Sequence, residues 1–134
     1  MSAVSPDKKS TPADLRARKG GVPLVCLTCY TAPMARLLDP VADRRLGGDS
    51  RGSVVYGFDS TLPVTVDMMI QHCQAVRRGA PNCMVLVAMP YGSYATEEIG
   101  VLNALRIMKE GGADVVKMQG GREKASIIRA IADA

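Results

Sequence analysis

Residues 83–118 decide the fold, through three consecutive runs: Cys83-Met-Val-Leu-Val-Ala-Met-Pro90, Thr96-Glu-Glu-Ile-Gly-Val-Leu-Asn-Ala-Leu-Arg-Ile-Met108, and Gly111-Gly-Ala-Asp-Val-Val-Lys-Met118. The first is unbroken and apolar, and Met84 to Ala88 reads as a strand buried on both faces. In the second, Thr96 is an N-cap, and Glu97 and Glu98 sit at the positive end of a helix. Val101, Ala104, Leu105 and Met108 then recur on one helical face. Gly111-Gly112 ends that helix. Asp114 to Met118 is a second buried strand. Strand, helix and strand in this order make a parallel pair.

The same unit repeats toward the N-terminus. Thr65 caps a helix in which Val66, Met69, Ile70 and Cys73 recur at helical spacing, and Gly79 closes it. Ser53 to Pro63 reads as an irregular loop. Val41 to Ser50 falls where a second strand is needed, yet Asp43, Arg44 and Arg45 occupy positions where a parallel strand wants Val or Ile. Local disorder is expected around Val41–Gly47. Thr31 caps a helix from Ala32 to Asp39, which Pro40 ends, and Leu24 to Cys29 is a first strand. Thr11-Pro12 opens a short helix through Ala13 to Lys19, stopped by Gly20-Gly21. Residues 1–10 read as a flexible polar tail. At the other end, Gly120-Gly121 leads into a helix with Ile127, Ile128 and Ile131 on its apolar face.

The expected architecture is α/β: a short helix, then about four βα units over residues 11–134. An open doubly wound sheet and half of a (β/α)8 TIM barrel both fit. A whole barrel takes about 250 residues and eight units, and this chain has 134 residues. No Gly-rich nucleotide loop follows the first strand, which weakens a dinucleotide or P-loop reading.

Composition narrows the function classes. The chain is 47% hydrophobic and 22% charged, which is ordinary for a globular protein and not for a disordered one. With four Tyr, one Phe and no Trp, it lacks the aromatic platforms of base-stacking modules. The net charge of +4 is dispersed over separate segments, unlike a nucleic-acid stripe, and suits an anionic substrate. No apolar run approaches the roughly 20 residues of a membrane helix. No secretory signal is visible, so the expected setting is cytoplasmic. Cys26-Leu-Thr-Cys29 has zinc-like spacing. On a strand, however, residues three apart face opposite ways, so reduced, buried thiols are expected.

Parallel α/β folds place chemistry at the carboxyl ends of strands. Asp49 and Ser50 stand at the second such end, as ligands for a hard cation and a carboxylate, or as turn chemistry. Lys117 ends the fourth strand. On an inward face it needs an anion; on an outward face it snorkels. Gln119 shares its face.

These residues fall within longer stretches that resemble the ketopantoate hydroxymethyltransferase family. They are Leu27-Thr-Cys-Tyr-Thr-Ala-Pro-Met-Ala35, Gly48-Asp-Ser50, Gly57-Phe-Asp-Ser-Thr-Leu-Pro-Val-Thr-Val-Asp67, Ala75-Val-Arg-Arg-Gly-Ala-Pro-Asn82, Met89-Pro-Tyr-Gly-Ser-Tyr94 and Met108 to Gly121. The related phosphoenolpyruvate mutase and isocitrate lyase group shares the architecture but should lack the Gly57–Asp67 stretch.

The resemblance implies a TIM barrel that forms large homo-oligomers. It implies one-carbon transfer from 5,10-methylenetetrahydrofolate to 3-methyl-2-oxobutanoate in pantothenate biosynthesis, with Mg2+ chelating the oxo acid. By position, Asp49 matches the metal-binding aspartate, Asp49 and Ser50 match the oxo-acid contacts, and Lys117 matches the substrate-binding lysine.

Departures accompany the resemblance. Where the family has an aspartate at the end of the third strand, this chain has Ala88. Where the fourth-strand motif has glutamate, it has Gln119. The family's general base, also a glutamate, belongs to the second half of the barrel, so no catalytic base is expected among these residues. The sequence-based expectation is therefore a family member impaired or inactive in this form. Its alternative is a non-catalytic half-barrel or interaction subunit. Self-association is expected for a half-barrel with open edges.

Overall fold

The computed structural model describes residues 11–41 and 43–134, and of Arg44 and Arg45 the backbone alone. The tail expected over residues 1–10 lies outside the described residues. Helix α1 (Pro12–Ala17) precedes β1 (Cys26–Thr28), α2 (Ala32–Leu38), β2 (Arg44–Gly47), α3 (Arg51–Val54), α4 (Val66–Gly79), β3 (Met84–Ala88), α5 (Glu97–Lys109) and β4 (Val115–Lys117). A single 3-10 turn over Arg122–Lys124 then enters α6 (Ala125–Asp133).

Four helices start where threonine predicts a start. Thr11 forms a reciprocal capping box with Asp14, and Thr31, Thr65 and Thr96 accept from the amides of Met34, Met68 and Ile99. Each bond satisfies one of the donors that a helix start leaves open.

All four strands are parallel, in the order β1-β2-β3-β4. A doubly wound sheet reverses its strand order at a switch point. This sheet never does, so of the two architectures left open by the sequence it takes the partial barrel. One face packs on helices. Met69, Cys73 and Val76 of α4, Ala104 and Ile107 of α5 and Ala35 of α2 bury Val85 and Val87 of β3, and Val116 and Met118 close the same core. Alternation along a strand sends Lys117 to the opposite face, and it is exposed there.

Three expectations need correction. Val41–Gly47 is not disordered where it is described: Arg44–Gly47 is a strand with partners on both sides. Asp43 stands before that strand rather than in it. Its carboxylate takes the Val25 amide at 2.9 Å and Arg18 at 2.8 Å, which ties α1 and β1 to the start of β2. The Ser53–Pro63 loop is also shorter than expected, because α3 occupies Arg51–Val54. Nor are all four thiols buried: Cys29, Cys73 and Cys83 are, but Cys26 is exposed, on the edge strand. No helix among the described residues is long and apolar enough to cross a membrane.

Candidate functional site

Parallel pairing brings four carboxyl ends to one edge of the sheet. Gly47 is level with Val87, and Ala88 with Lys117. The next residues of β2, Gly48 and Asp49, therefore emerge beside Ala88 and Met89. Lys117 stands one strand further on, roughly 10 Å from the β2 end in the hydrogen-bonding direction. Asp49, Ser50 and Lys117 thus share an edge. Ala88 lies between them, 2% exposed, and offers a methyl group. Gln119 is exposed beyond β4.

The Gly48–Ser50 turn is held from behind by residues that the sequence did not single out. Arg51 is fully buried; its Nε donates to the Gly48 carbonyl at 3.0 Å and its Nη1 to that of Met68 at 3.4 Å. The guanidinium lies 5.3 Å from the centroid of the Tyr30 ring. Burial pushes the Arg51 guanidinium down to about 10, against the opposing pull of Tyr30. Tyr30 Oη is 2.8 Å from Ser50 Oγ.

His72 secures the other end of Tyr30. The Tyr30 carbonyl lies 2.6 Å from His72 Nδ1 and can only accept, so Nδ1 carries the hydrogen. Nε2 lies 2.7 Å from the Tyr56 hydroxyl. Tyr56 stacks on Phe58 at 5.5 Å. Beside this chain of contacts, Tyr30, Thr31, Ala32, Gln71, His72 and Ala75 line an open cleft of about 230 Å³. Tyr30 had a visible signal, as the residue closing a strand end. Arg51 had none.

A Mg2+ centre does not fit these residues. The ion wants oxygen ligands in octahedral geometry, with carboxylates supplying most of the protein's share. Asp49 is the one carboxylate among the positions compared, Ala88 supplies no oxygen from its side chain, and Gln119 supplies an uncharged one. No group of three His, Cys, Asp or Glu among the described residues could hold a metal ion. At the rim, the Gly121 amide donates to Glu123 Oε1 at 2.8 Å and holds that carboxyl below its usual range.

A sequential parallel sheet with helices packed on one face and polar groups at its carboxyl edge defines the class: a partial (β/α) barrel. Solved structures agree on the fold. Oxaloacetate acetylhydrolase superposes with a TM-score of 0.68 at 13% identity, over 92% of this chain and 48% of that one. A 2,3-dimethylmalate lyase of the phosphoenolpyruvate mutase/isocitrate lyase superfamily gives 0.67 at 16%, over 90% and 45%.

The family follows from sequence. The ketopantoate hydroxymethyltransferase family model matches residues 9–134, and the chain belongs to that family. The 3-methyl-2-oxobutanoate hydroxymethyltransferase of Rhizobium etli is 52% identical over 129 residues, 96% of this chain and 47% of the relative. That of Paramagnetospirillum magneticum is 53% identical over 134 residues, 99% and 49%. The chain spans about half the length of these curated relatives.

Proposed function

We propose that this chain forms the part of a hydroxymethyltransferase barrel that seats a 2-oxo acid, 3-methyl-2-oxobutanoate, for one-carbon transfer from 5,10-methylenetetrahydrofolate. The observation that carries this reading is the shared edge: Asp49 and Ser50 leave β2 where Lys117 leaves β4, one strand away on either side of β3. The Lys117 ammonium supplies the charge for the substrate carboxylate, and the Ser50 hydroxyl supplies a directional donor. The described strand ends carry neither His nor Glu, so the base that takes the proton from carbon 3 is assigned to residues outside them. The reading carries with it a place in pantothenate biosynthesis, a cytoplasmic setting and assembly with further copies.

A second reading is a non-catalytic half-barrel that serves as an interaction subunit. Ala88 favours it, because a buried methyl group stands between the two polar strand ends.

Calorimetric titration with 3-methyl-2-oxobutanoate tests the main reading. Saturable binding that Lys117→Ala abolishes is the expected result, and no saturable binding overturns it. An assay of ketopantoate formation with 5,10-methylenetetrahydrofolate then separates the two readings. Turnover well above blank removes the non-catalytic one.

A further inference from the structure

Ser50 occupies the N-cap of α3 but does not cap it. A serine there ordinarily accepts from an amide two or three residues on. Its Oγ lies instead 2.8 Å from Tyr30 Oη. Tyr30 has little freedom to move. It is 7% exposed, its carbonyl is bound by His72, and its ring faces the Arg51 guanidinium. Arg51 also binds the Gly48 carbonyl, at the start of the turn that carries Ser50. Tyr30 and the Ser50 turn are thus fixed to each other through both a side chain and a backbone contact.

One hydrogen lies between the two hydroxyls, and chemistry decides whose it is. A phenol is far more acidic than an aliphatic alcohol and is the better donor. A cation against the ring draws electron density from it and strengthens that donor further. With Tyr30 donating, Ser50 Oγ accepts and its own hydrogen is left to point elsewhere. The open direction is the carboxyl edge of the sheet, where Ser50 is exposed.

We propose that Tyr30 is a positioning residue for the 2-oxo acid: it donates to Ser50 Oγ and so aims the Ser50 hydrogen at the substrate carboxylate. This rests on the proposed function, because it assumes that a carboxylate binds at that edge. Without the phenol, the Ser50 hydroxyl rotates freely, because the amides of Gly52 and Ser53 already donate to the carbonyls of Asp49 and Ser50.

The test is a double-mutant cycle read by titration with 3-methyl-2-oxobutanoate. Tyr30→Phe keeps the ring and the cation contact, and removes only the hydroxyl. It should weaken binding about fivefold, the size of one directed hydrogen bond. Ser50→Ala should weaken binding at least as much. Tyr30→Phe added to Ser50→Ala should then cost nothing more. A purely structural role for Tyr30 predicts the opposite: an equal loss in both backgrounds. The methyl ester of the oxo acid, lacking the charge, should not distinguish Tyr30→Phe from the unsubstituted chain.

Unchanged affinity in Tyr30→Phe overturns the inference while leaving the proposed function standing. Absence of binding by the unsubstituted chain overturns the proposed function itself, and the inference with it.

Discussion

Ala88 and Lys117 are register partners across β3 and β4, one buried and the other exposed on the same face of the sheet. A lysine is therefore paired with a methyl group at the edge where the neighbouring strand ends in Asp49. Restoring oxygen ligands on either side of that lysine should create a cation site. Without substitution the chain is expected to show no saturable Mg2+ binding by calorimetry, even with 3-methyl-2-oxobutanoate present. Ala88→Asp with Gln119→Glu should bind the ion saturably, because three carboxylates then end three adjacent strands. Ala88→Asp alone should be less stable without metal by about 1–3 kcal/mol, the cost of an uncompensated polar group at a buried position. Saturable Mg2+ binding by the unsubstituted chain would show that Asp49 and Gln119 suffice.

At the opposite end of the sheet, Arg77 fastens three elements together. Its guanidinium donates to the carbonyls of Pro81, Cys83 and Gly112 and to Asp114, whose Oδ2 also takes the Val85 amide. The end of α4, the start of β3 and the start of β4 all meet at this one side chain. Arg77→Ala should lower unfolding stability by about 2–4 kcal/mol in urea, since it takes the donor from partly buried carbonyls and the cation from the Asp114 carboxylate. Arg77→Lys keeps the charge but cannot reach several acceptors in different directions, so it should recover less than half of the loss. A loss below about 0.5 kcal/mol would mean that water replaces the guanidinium freely.

How much of this was legible in the sequence depended on how local each cause is. The four threonine caps act within three residues, and all four helix starts follow from them. β3 is an unbroken apolar run, and its bounds are those read from the sequence. β2 was the weakest reading because its cause is not local: Arg44–Gly47 is held by β1 on one side and β3 on the other, and pairing overrides a polar sequence. The candidate site divides in the same way. Asp49, Ser50 and Lys117 announce themselves at strand ends. Tyr30 joins them only through a contact twenty residues distant, and Arg51 reads as a surface arginine until the packing of Tyr30 and Met68 encloses it.

The four cysteines should separate by reactivity. Cys26 is exposed on the edge strand while Cys29, Cys73 and Cys83 are buried. A thiol reagent at neutral pH should label one cysteine per folded chain quickly, and the rest only on unfolding. Peptide mapping should place the fast label on Cys26. Fast labelling of Cys29 as well would mean that β1 opens.

Cys73 also gives a pH dependence with a definite sign. Burial pushes its thiol up to about 11 from an ordinary 9.0. The folded state therefore holds this proton more tightly than the unfolded state does. The resulting stability is fully present below pH 9 and is lost as pH rises through about 11. Urea unfolding of Cys73→Ala should show a shallower decline over that interval than the unsubstituted chain. Equal slopes would assign the decline to other groups.

Arg51 should be a place where stability and binding pull apart. Its guanidinium is fully buried, and among the described residues no carboxylate pairs with it. Replacing a buried charge that forms no ion pair by an apolar side chain of similar bulk removes its desolvation cost. Arg51→Leu should therefore raise stability at neutral pH by about 1–3 kcal/mol. The sign is checked by pH. Burial holds Arg51 down at about 10, below its ordinary 12.5, so above pH 10 the unfolded state binds the extra proton and the folded state is relieved of its penalty. The advantage of Arg51→Leu should thus shrink as pH rises through 10. Affinity for the oxo acid should move the other way. The Gly48 carbonyl loses its donor, Tyr30 loses the cation against its ring, and the Ser50 hydroxyl is held less firmly. A variant that is both less stable and unchanged in affinity would show that the hydrogen bonds to Gly48 and Met68 outweigh desolvation and that nothing at the carboxyl edge depends on them.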